Sequence, residues 1–146
     1  MVNPIPDGYH TVTPYLLVRD AAGLIDFLKE AFDAEEHERM ERPEGRVMHA
    51  EVRIGDSLVM MGEVGPDDAT IPAMLHLYVE DADEAYRCAL AAGATSVRAP
   101  IDEFYGDRAG GVRDAFGNQW WVATHVEDVA PEEMRRRAEA QAREQG

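Results

Sequence analysis

Tyr15-Leu-Leu-Val-Arg-Asp20 and His76-Leu-Tyr-Val-Glu-Asp81 are one segment written twice. Laid over one another at a distance of 61 residues, they pair Leu16 with Leu77, Val18 with Val79 and Asp20 with Asp81. Each copy reads as a short apolar strand ending on an aspartate, a residue suited to cap a helix because its carboxylate accepts the free N–H groups of a first turn. After Asp20, residues Ala21 to Phe32 place Leu24, Phe27, Leu28 and Ala31 on one helical stripe. After Asp81, a helix over 83–92 is stopped by Gly93.

The repeat continues outward. The first strand is expected over 11–18, and residues 47–54 (VMHAEVRI) and 57–61 (SLVMM) read as strands around a Gly55-Asp56 turn. A linker over 65–73, carrying Gly65, Pro66, Asp67, Asp68 and Pro72, separates this half from the next. The second half restarts with a strand over 74–79, passes its helix and an irregular stretch, and closes with strands flanking a Gly117-Asn118 turn, 62 residues from the first turn. The pattern predicts an α+β fold: a single domain over 1–130 with a module at 9–64 and another at 74–127. The two pair pseudo-symmetrically, with one helix on one face of each curved sheet and the other face free to line a cavity. Residues 131–146 form a polar tail, helical from Pro131 or disordered, with four acids against four arginines.

Charge narrows the function. The chain of 146 residues has 29 acidic and 14 basic side chains, a formal charge of −15 and a pI near 4.6. A polyanion is repelled by such a surface, and no cluster of Lys and Arg with interleaved aromatics offers a local phosphate track, so nucleic acid is excluded as a partner. No apolar run approaches the roughly 20 residues of a spanning helix, and the first residues lack the basic-then-apolar pattern of a signal peptide, so a cytoplasmic protein without a membrane partner is expected. One cysteine, Cys88, leaves no internal disulfide and no multi-cysteine metal site, and its expected place is a small buried position on a helix. Phosphate loops, serine nucleophile elbows and two-histidine helix motifs are absent from the sequence.

With these elements in place, residues 9 to about 127 resemble the vicinal oxygen chelate superfamily of glyoxalases, extradiol dioxygenases and bleomycin and fosfomycin resistance proteins. The resemblance rests on the two strand-to-helix starts, on Ala91-Ala92-Gly93-Ala94, and on Asp114-Ala115-Phe116-Gly117-Asn118, similar to that family's Asp-Pro-x-Gly turn. Met48-His49-Ala50-Glu51, Tyr105-Gly106-Asp107-Arg108 and Gly117-Asn118-Gln119-Trp120-Trp121 look most like its PhnB-like branch. The resemblance implies two βαβββ modules whose mixed sheets curve around a cavity, and a homodimer. It also implies, in the metal enzymes, one ligand on the first and one on the last strand of each module. Carried over residue by residue, those places fall on Thr13 and Met74 for the first strands, and on Trp121 and Val59 or, with a one-residue slip, Met60 for the last. Thioether and indole are not ligands for Zn²⁺, Ni²⁺ or Mg²⁺, so no metal is expected there and no cofactor is expected.

What remains is a pocket of aromatic and polar groups. Alternation puts Thr13, Tyr15 and Leu17 on one face, Met74, His76 and Tyr78 on the matching face, and Trp121 with them, while Trp120 packs under a helix. His49, Glu51 and Arg53 alternate on a further strand. His49 and His76 read either as acid/base or hydrogen-bonding groups, with Glu51 orienting His49, or as side chains bonded to neighbours at a sheet edge. A metal held by His49, Glu51 and His76 is a further option. Tyr105 to Arg108 suggest a loop over the pocket, where Arg108 or Arg113 binds a ligand anion or makes an internal salt bridge. Asp107 and Asp114 read as turn residues, and His10, His37 and His125 as exposed. The expectation is a metal-independent protein that binds a small, partly aromatic organic molecule, with a cationic one favoured by the negative charge, through Thr13, Tyr15, His76, Tyr78, Tyr105, Arg108 and Trp121. The alternative is a lyase, isomerase or hydrolase that uses His49 and Glu51, or a divalent metal site outside those positions.

Overall fold

A computed structural model describes residues 2–145. The first module runs β1 (Tyr15–Val18), α1 (Ala21–Phe32), β2 (Glu35–Glu41), β3 (Val47–Ile54) and β4 (Ser57–Glu63). The second runs β5 (Met74–Tyr78), α2 (Ala82–Ala91), β6 (Thr95–Asp102), β7 (Asp107–Arg113) and β8 (Gln119–His125), and α3 (Pro131–Gln145) follows. Each module is βαβββ with a four-stranded mixed sheet, ordered β1-β4-β3-β2 and β5-β8-β7-β6. Two strands escape a reading along the chain. β2 is a charged edge strand of sequence EEHERME, and β6 occupies the stretch expected to be irregular; both are held by antiparallel pairing to their neighbours rather than by apolar alternation.

The 61-residue repeat is built into the hydrogen bonds. Asp20 accepts the N–H of Gly23 at 2.9 Å and Asp81 that of Glu84 at 3.1 Å, so both helices start on an aspartate cap. A second cap comes from the last strand of each module: Ala21 N–H donates to Glu63 Oε1 and Ala82 N–H to Thr124 Oγ1, at 3.1 and 2.9 Å. The parallel pairs repeat too, Tyr15 opposite Met60 and His76 opposite Trp121. The hairpins differ. Ile54 faces Ser57 across a two-residue turn, with Gly55 at φ 60°, whereas Arg113 faces Gln119 across a longer loop.

The two modules share one core. Leu24, Ile25, Phe27 and Leu28 of α1 pack on Leu16, Val18, Val52 and Met61 of the first sheet, and the same cluster includes Ala89 of α2, Val112 and Trp120. The helices lie against each other, and the Phe32 and Trp120 rings, 5.5 Å apart, join the halves. Asp114, buried in the β7–β8 loop, accepts the N–H groups of Phe116 and Asn118 and the indole Nε1–H of Trp120 at 2.8 Å. α3 buries none of its residues; Arg137 ties it to Glu127 and to the carbonyl of Phe104. Among the described residues no helix is long and apolar enough to cross a membrane.

Replacing Asp114 by alanine strands the buried indole N–H and two loop amides. The expected loss is about 3 kcal/mol of unfolding free energy, read from urea denaturation; a loss below about 1 kcal/mol would show that the loop rebuilds its hydrogen bonds without the carboxylate.

Candidate functional site

Each sheet turns one face to the helices and leaves the other open. On the first sheet the buried residues Leu16, Val18, Ala50, Val52, Val59 and Met61 face the helices, which sends Tyr15, Leu17, His49, Glu51 and Met60 to the open side. Val59 is buried in the core, so Met60 is the counterpart of Trp121, settling the one-residue ambiguity in the sequence. The polar groups on this face are joined. Tyr15 Oη lies 3.2 Å from His49 Nδ1, and His49 Nε2 lies 3.2 Å from Glu51 Oε1. One neutral tautomer satisfies both contacts, with the phenol donating to Nδ1 and Nε2–H donating to the carboxylate.

The segment before β1 crosses this face, with Gly8 over Leu58 and Tyr9 beside Glu51. The Tyr9 hydroxyl, opposed by burial and seconded by His49, holds the Glu51 carboxyl below its ordinary value. Burial and then the Glu51 carboxylate push the Tyr9 phenol up to about 12. The same hydroxyl is buried without a hydrogen bond of good geometry. Glu38 on β2, the register partner of Glu51, brings a carboxylate oxygen within 4.8 Å of donor atoms on His49 and Glu51.

The open face of the second sheet is aromatic. His76 stands beside Trp121 and 5.1 Å, ring to ring, from Tyr78. Trp121 lies across Gly111, where a Cβ would sit 2.6 Å from the indole, and the guanidinium carbon of Arg98 is 5.0 Å from the ring centroid. Thus Gly111 makes room for the indole, and Arg98 already occupies the cation site that the indole offers.

At the end of this face Asp107, only 2% exposed, accepts hydrogen bonds from Tyr78 Oη at 2.8 Å and from His125 Nδ1 at 2.7 Å. His125 Nε2 in turn reaches Asp128 at 2.7 Å. A carboxylate on each ring nitrogen favours the imidazolium, and Asp128 first, then Asp107, push the His125 pKa above its ordinary 6.5. Burial of Asp107 works to raise its own pKa, but the bonds from His125 and Tyr78 outweigh it and hold the carboxyl below 3.8.

The structure therefore divides the expected site. Tyr15, His49 and Glu51 cluster on one module, while His76, Tyr78 and Trp121 cluster on the other. The broad groove between the modules, about 1800 Å³, runs along β5 and α2 against the end of α1 and the β3–β4 hairpin, and of the expected ligand-binding residues it takes His76 and Tyr78. Thr13 precedes β1, half-buried, its hydroxyl donating to the His10 carbonyl at 3.4 Å. Tyr105 sits in the β6–β7 turn beside Glu103 and Asp107. Arg108 makes an internal salt bridge, the second of its two readings: it is paired with Asp83 on α2 at 2.7 and 3.0 Å and with Asp102 at 3.2 Å. Of the stretch read as a covering loop, Asp107 and Arg108 belong to β7, whose Gly110 and Gly111 pack under Pro100 and Trp121. Cys88 is half-buried and lines the groove.

Thr13, Met60, Met74 and Trp121 carry no donor set for a metal at the places the resemblance points to. The sequence reading missed Tyr9, Glu38, Arg98, Asp107 and His125 as parts of these faces. Asp107 and His125 are hydrogen-bonding side chains at strand ends, a signal that sequence carries; Arg98 and Glu38 lie on the two strands that sequence does not reveal.

Comparison with known proteins follows the same lines. The family model described as "Glyoxalase/Bleomycin resistance protein/Dioxygenase superfamily" matches residues 9–122. The uncharacterised protein Mb0911c of Mycobacterium bovis is 38% identical over 134 residues, 84% of this chain and 88% of that protein. Among solved structures, TioX from Micromonospora sp. ML1 superposes with a TM-score of 0.68 at 25% identity, over 80% of this chain and 99% of that one. A PhnB protein from Bacillus cereus shares the fold, with a TM-score of 0.64 at 19% identity over 79% of this chain and 99% of its own.

The His125–Asp107 contact has a defined pH window. Stability from the raised histidine is complete below 6.5 and is lost as pH rises through its folded pKa; stability from the depressed aspartate is complete above 3.8 and is lost as pH falls through its folded pKa. In Asp107→Asn the His125 titration midpoint, followed by NMR, is expected to move down toward 6.5. An unmoved midpoint would assign the whole shift to Asp128.

Proposed function

Because this chain belongs to the Glyoxalase/Bleomycin resistance protein/Dioxygenase superfamily, we propose that it is a cytoplasmic homodimer that binds a small, partly aromatic organic molecule without metal donors at the superfamily's positions. One observation supports the reading: the two open faces differ in chemistry and complement each other. The second module offers a stacking platform of His76, Tyr78 and Trp121, and the first offers the hydrogen-bonding set Tyr15, His49 and Glu51.

In a single chain these faces do not line one groove, and their apolar members stand in solvent, Met74 and Tyr78 each 66% exposed and Tyr15 47%. β1 and β5 are the edge strands of their sheets. Exposed edges beside exposed apolar faces are the surfaces that association covers, and a second copy would bring the first module of one chain opposite the second module of the other. The aromatic part of the ligand then stacks on the second module and its polar part meets His49 and Glu51. With Arg98 at the indole, a cationic group on the ligand is better placed against Glu51 and Glu38 than over Trp121.

The bonded Tyr15–His49–Glu51 row also favours a second reading, acid/base catalysis by His49 in a lyase, isomerase or hydrolase.

Sedimentation of the full chain should give a dimer at micromolar concentration, and Tyr78→Lys together with Met74→Lys should give a monomer. A monomeric parent protein would remove the assembled cavity. In a thermal-shift and fluorescence screen of monocyclic aromatic acids, amines and phenols, Trp121→Ala should weaken the best binder about tenfold through the lost stacking contact. For a binding protein, His49→Ala should change that affinity only a few fold, whereas loss of a detected turnover in His49→Ala would establish the catalytic reading.

A further inference from the structure

We propose that Glu38, His49 and Glu51 form a binding site for one divalent first-row metal ion, of which Zn²⁺ is the reference, at a place distinct from the superfamily's first-strand and last-strand positions. The donors come from the edge strand β2 and its neighbour β3 in the first sheet. Glu51 and Glu38 face each other across β3 and β2, and His49 lies two residues before Glu51, on the same side of its strand. One ligand atom from each lies within 4.8 Å of the others, and His49 Nε2 is 3.2 Å from Glu51 Oε1. Two ligands about 2.0 Å from a tetrahedral ion are roughly 3.3 Å apart, so this pair already stands at ligand spacing.

Three features outside the donor set agree. Tyr15 Oη holds the far nitrogen of the imidazole at 3.2 Å, the outer contact that orients a ligating histidine. A hydroxyl both donates and accepts. When the ion takes Nε2, the imidazole proton moves to Nδ1, Tyr15 turns from donor to acceptor, and the ion replaces the Nε2–H bond to Glu51.

Tyr9 Oη, buried beside Glu51, lacks a hydrogen bond of good geometry, and a carboxylate drawn onto an ion or a water on that ion would give its proton an acceptor. The whole chain, at −15, concentrates cations around it. One imidazole and two carboxylates suit Zn²⁺, Mn²⁺ or Fe²⁺ better than Mg²⁺, and three protein ligands leave further positions open toward the free face of the sheet, where an oxygen-bearing solute can complete the coordination. The site needs only residues of one module, so it does not require the dimer, although it shares Glu38, His49 and Glu51 with the polar end of the ligand site proposed above.

The test uses the full chain, stripped with chelator and dialysed, and Zn²⁺ alone as the probe. Calorimetry and metal analysis after desalting should give one ion per chain. Glu38→Gln, an exposed position that leaves the fold intact, should weaken binding at least about tenfold, and His49→Ala and Glu51→Gln should reduce it to background, with circular dichroism confirming their folding. His76→Ala and His125→Ala should bind as the parent does. In NMR, Mn²⁺ should broaden the His49 imidazole resonances before those of the other histidines. Absence of a stoichiometric ion, or binding that survives Glu38→Gln and His49→Ala, as adventitious capture by the acidic groove would, overturns the assignment.

Discussion

The Trp120 indole is the point at which the two halves of this protein become one body. It is fully buried, it meets Phe32 from the other module across 5.5 Å, and its N–H is held by a carboxylate, Asp114, that also organises the loop before its strand. Because α1 and α2 pack against each other around this contact, both sheets turn their helix-bearing faces inward and their bare faces outward. The placement of every candidate functional group follows from that. A residue on β1, β3, β5 or β8 is either core or open face, with no intermediate choice, since a strand alternates and one side is committed to the helices.

Within that frame the repeat is kept in the scaffold and broken on the open faces. Caps recur 61 residues apart, Asp20 with Asp81 and Glu63 with Thr124. On the open side, however, Met60 in the first module stands where the second has Trp121, and Tyr15 where the second has His76. Met60 has Glu51 across the strand, whereas Trp121 has Gly111. The exchange is physically coupled: an indole lying flat on its neighbour requires a residue with no side chain, and a thioether leaves room for a carboxylate. One face thereby becomes a stacking surface and the other a set of proton donors and acceptors.

Histidines show how strongly tertiary context decides chemistry here. His49 and His125 both sit on open faces, yet His125 is clamped between Asp128 and Asp107, which push its pKa up, while His49 bridges a phenol and a carboxylate. A carboxylate on each ring nitrogen favours the charged form of an imidazole that lines the groove.

The sequence by itself determined the architecture, since helix caps, apolar stripes and a two-residue turn are local signals, and their recurrence made the two modules legible from Tyr15–Asp20 and His76–Asp81 alone. Strand alternation likewise separated Trp120 from Trp121 and put Tyr15, His76 and Tyr78 on open faces. Only the tertiary structure decided which long-range partners those groups meet. β2 and β6 have no periodic signature because their neighbours, not their own side chains, hold them in place; with them Glu38 and Arg98 stayed hidden. The same holds for Arg108, drawn to Asp83 on a helix 25 residues away in sequence, and for Asp107, whose burial depends on Tyr78 and His125 arriving from two other strands. A hydrogen bond or ion pair across a sheet is set by register and packing, and neither is written in the residues on one strand.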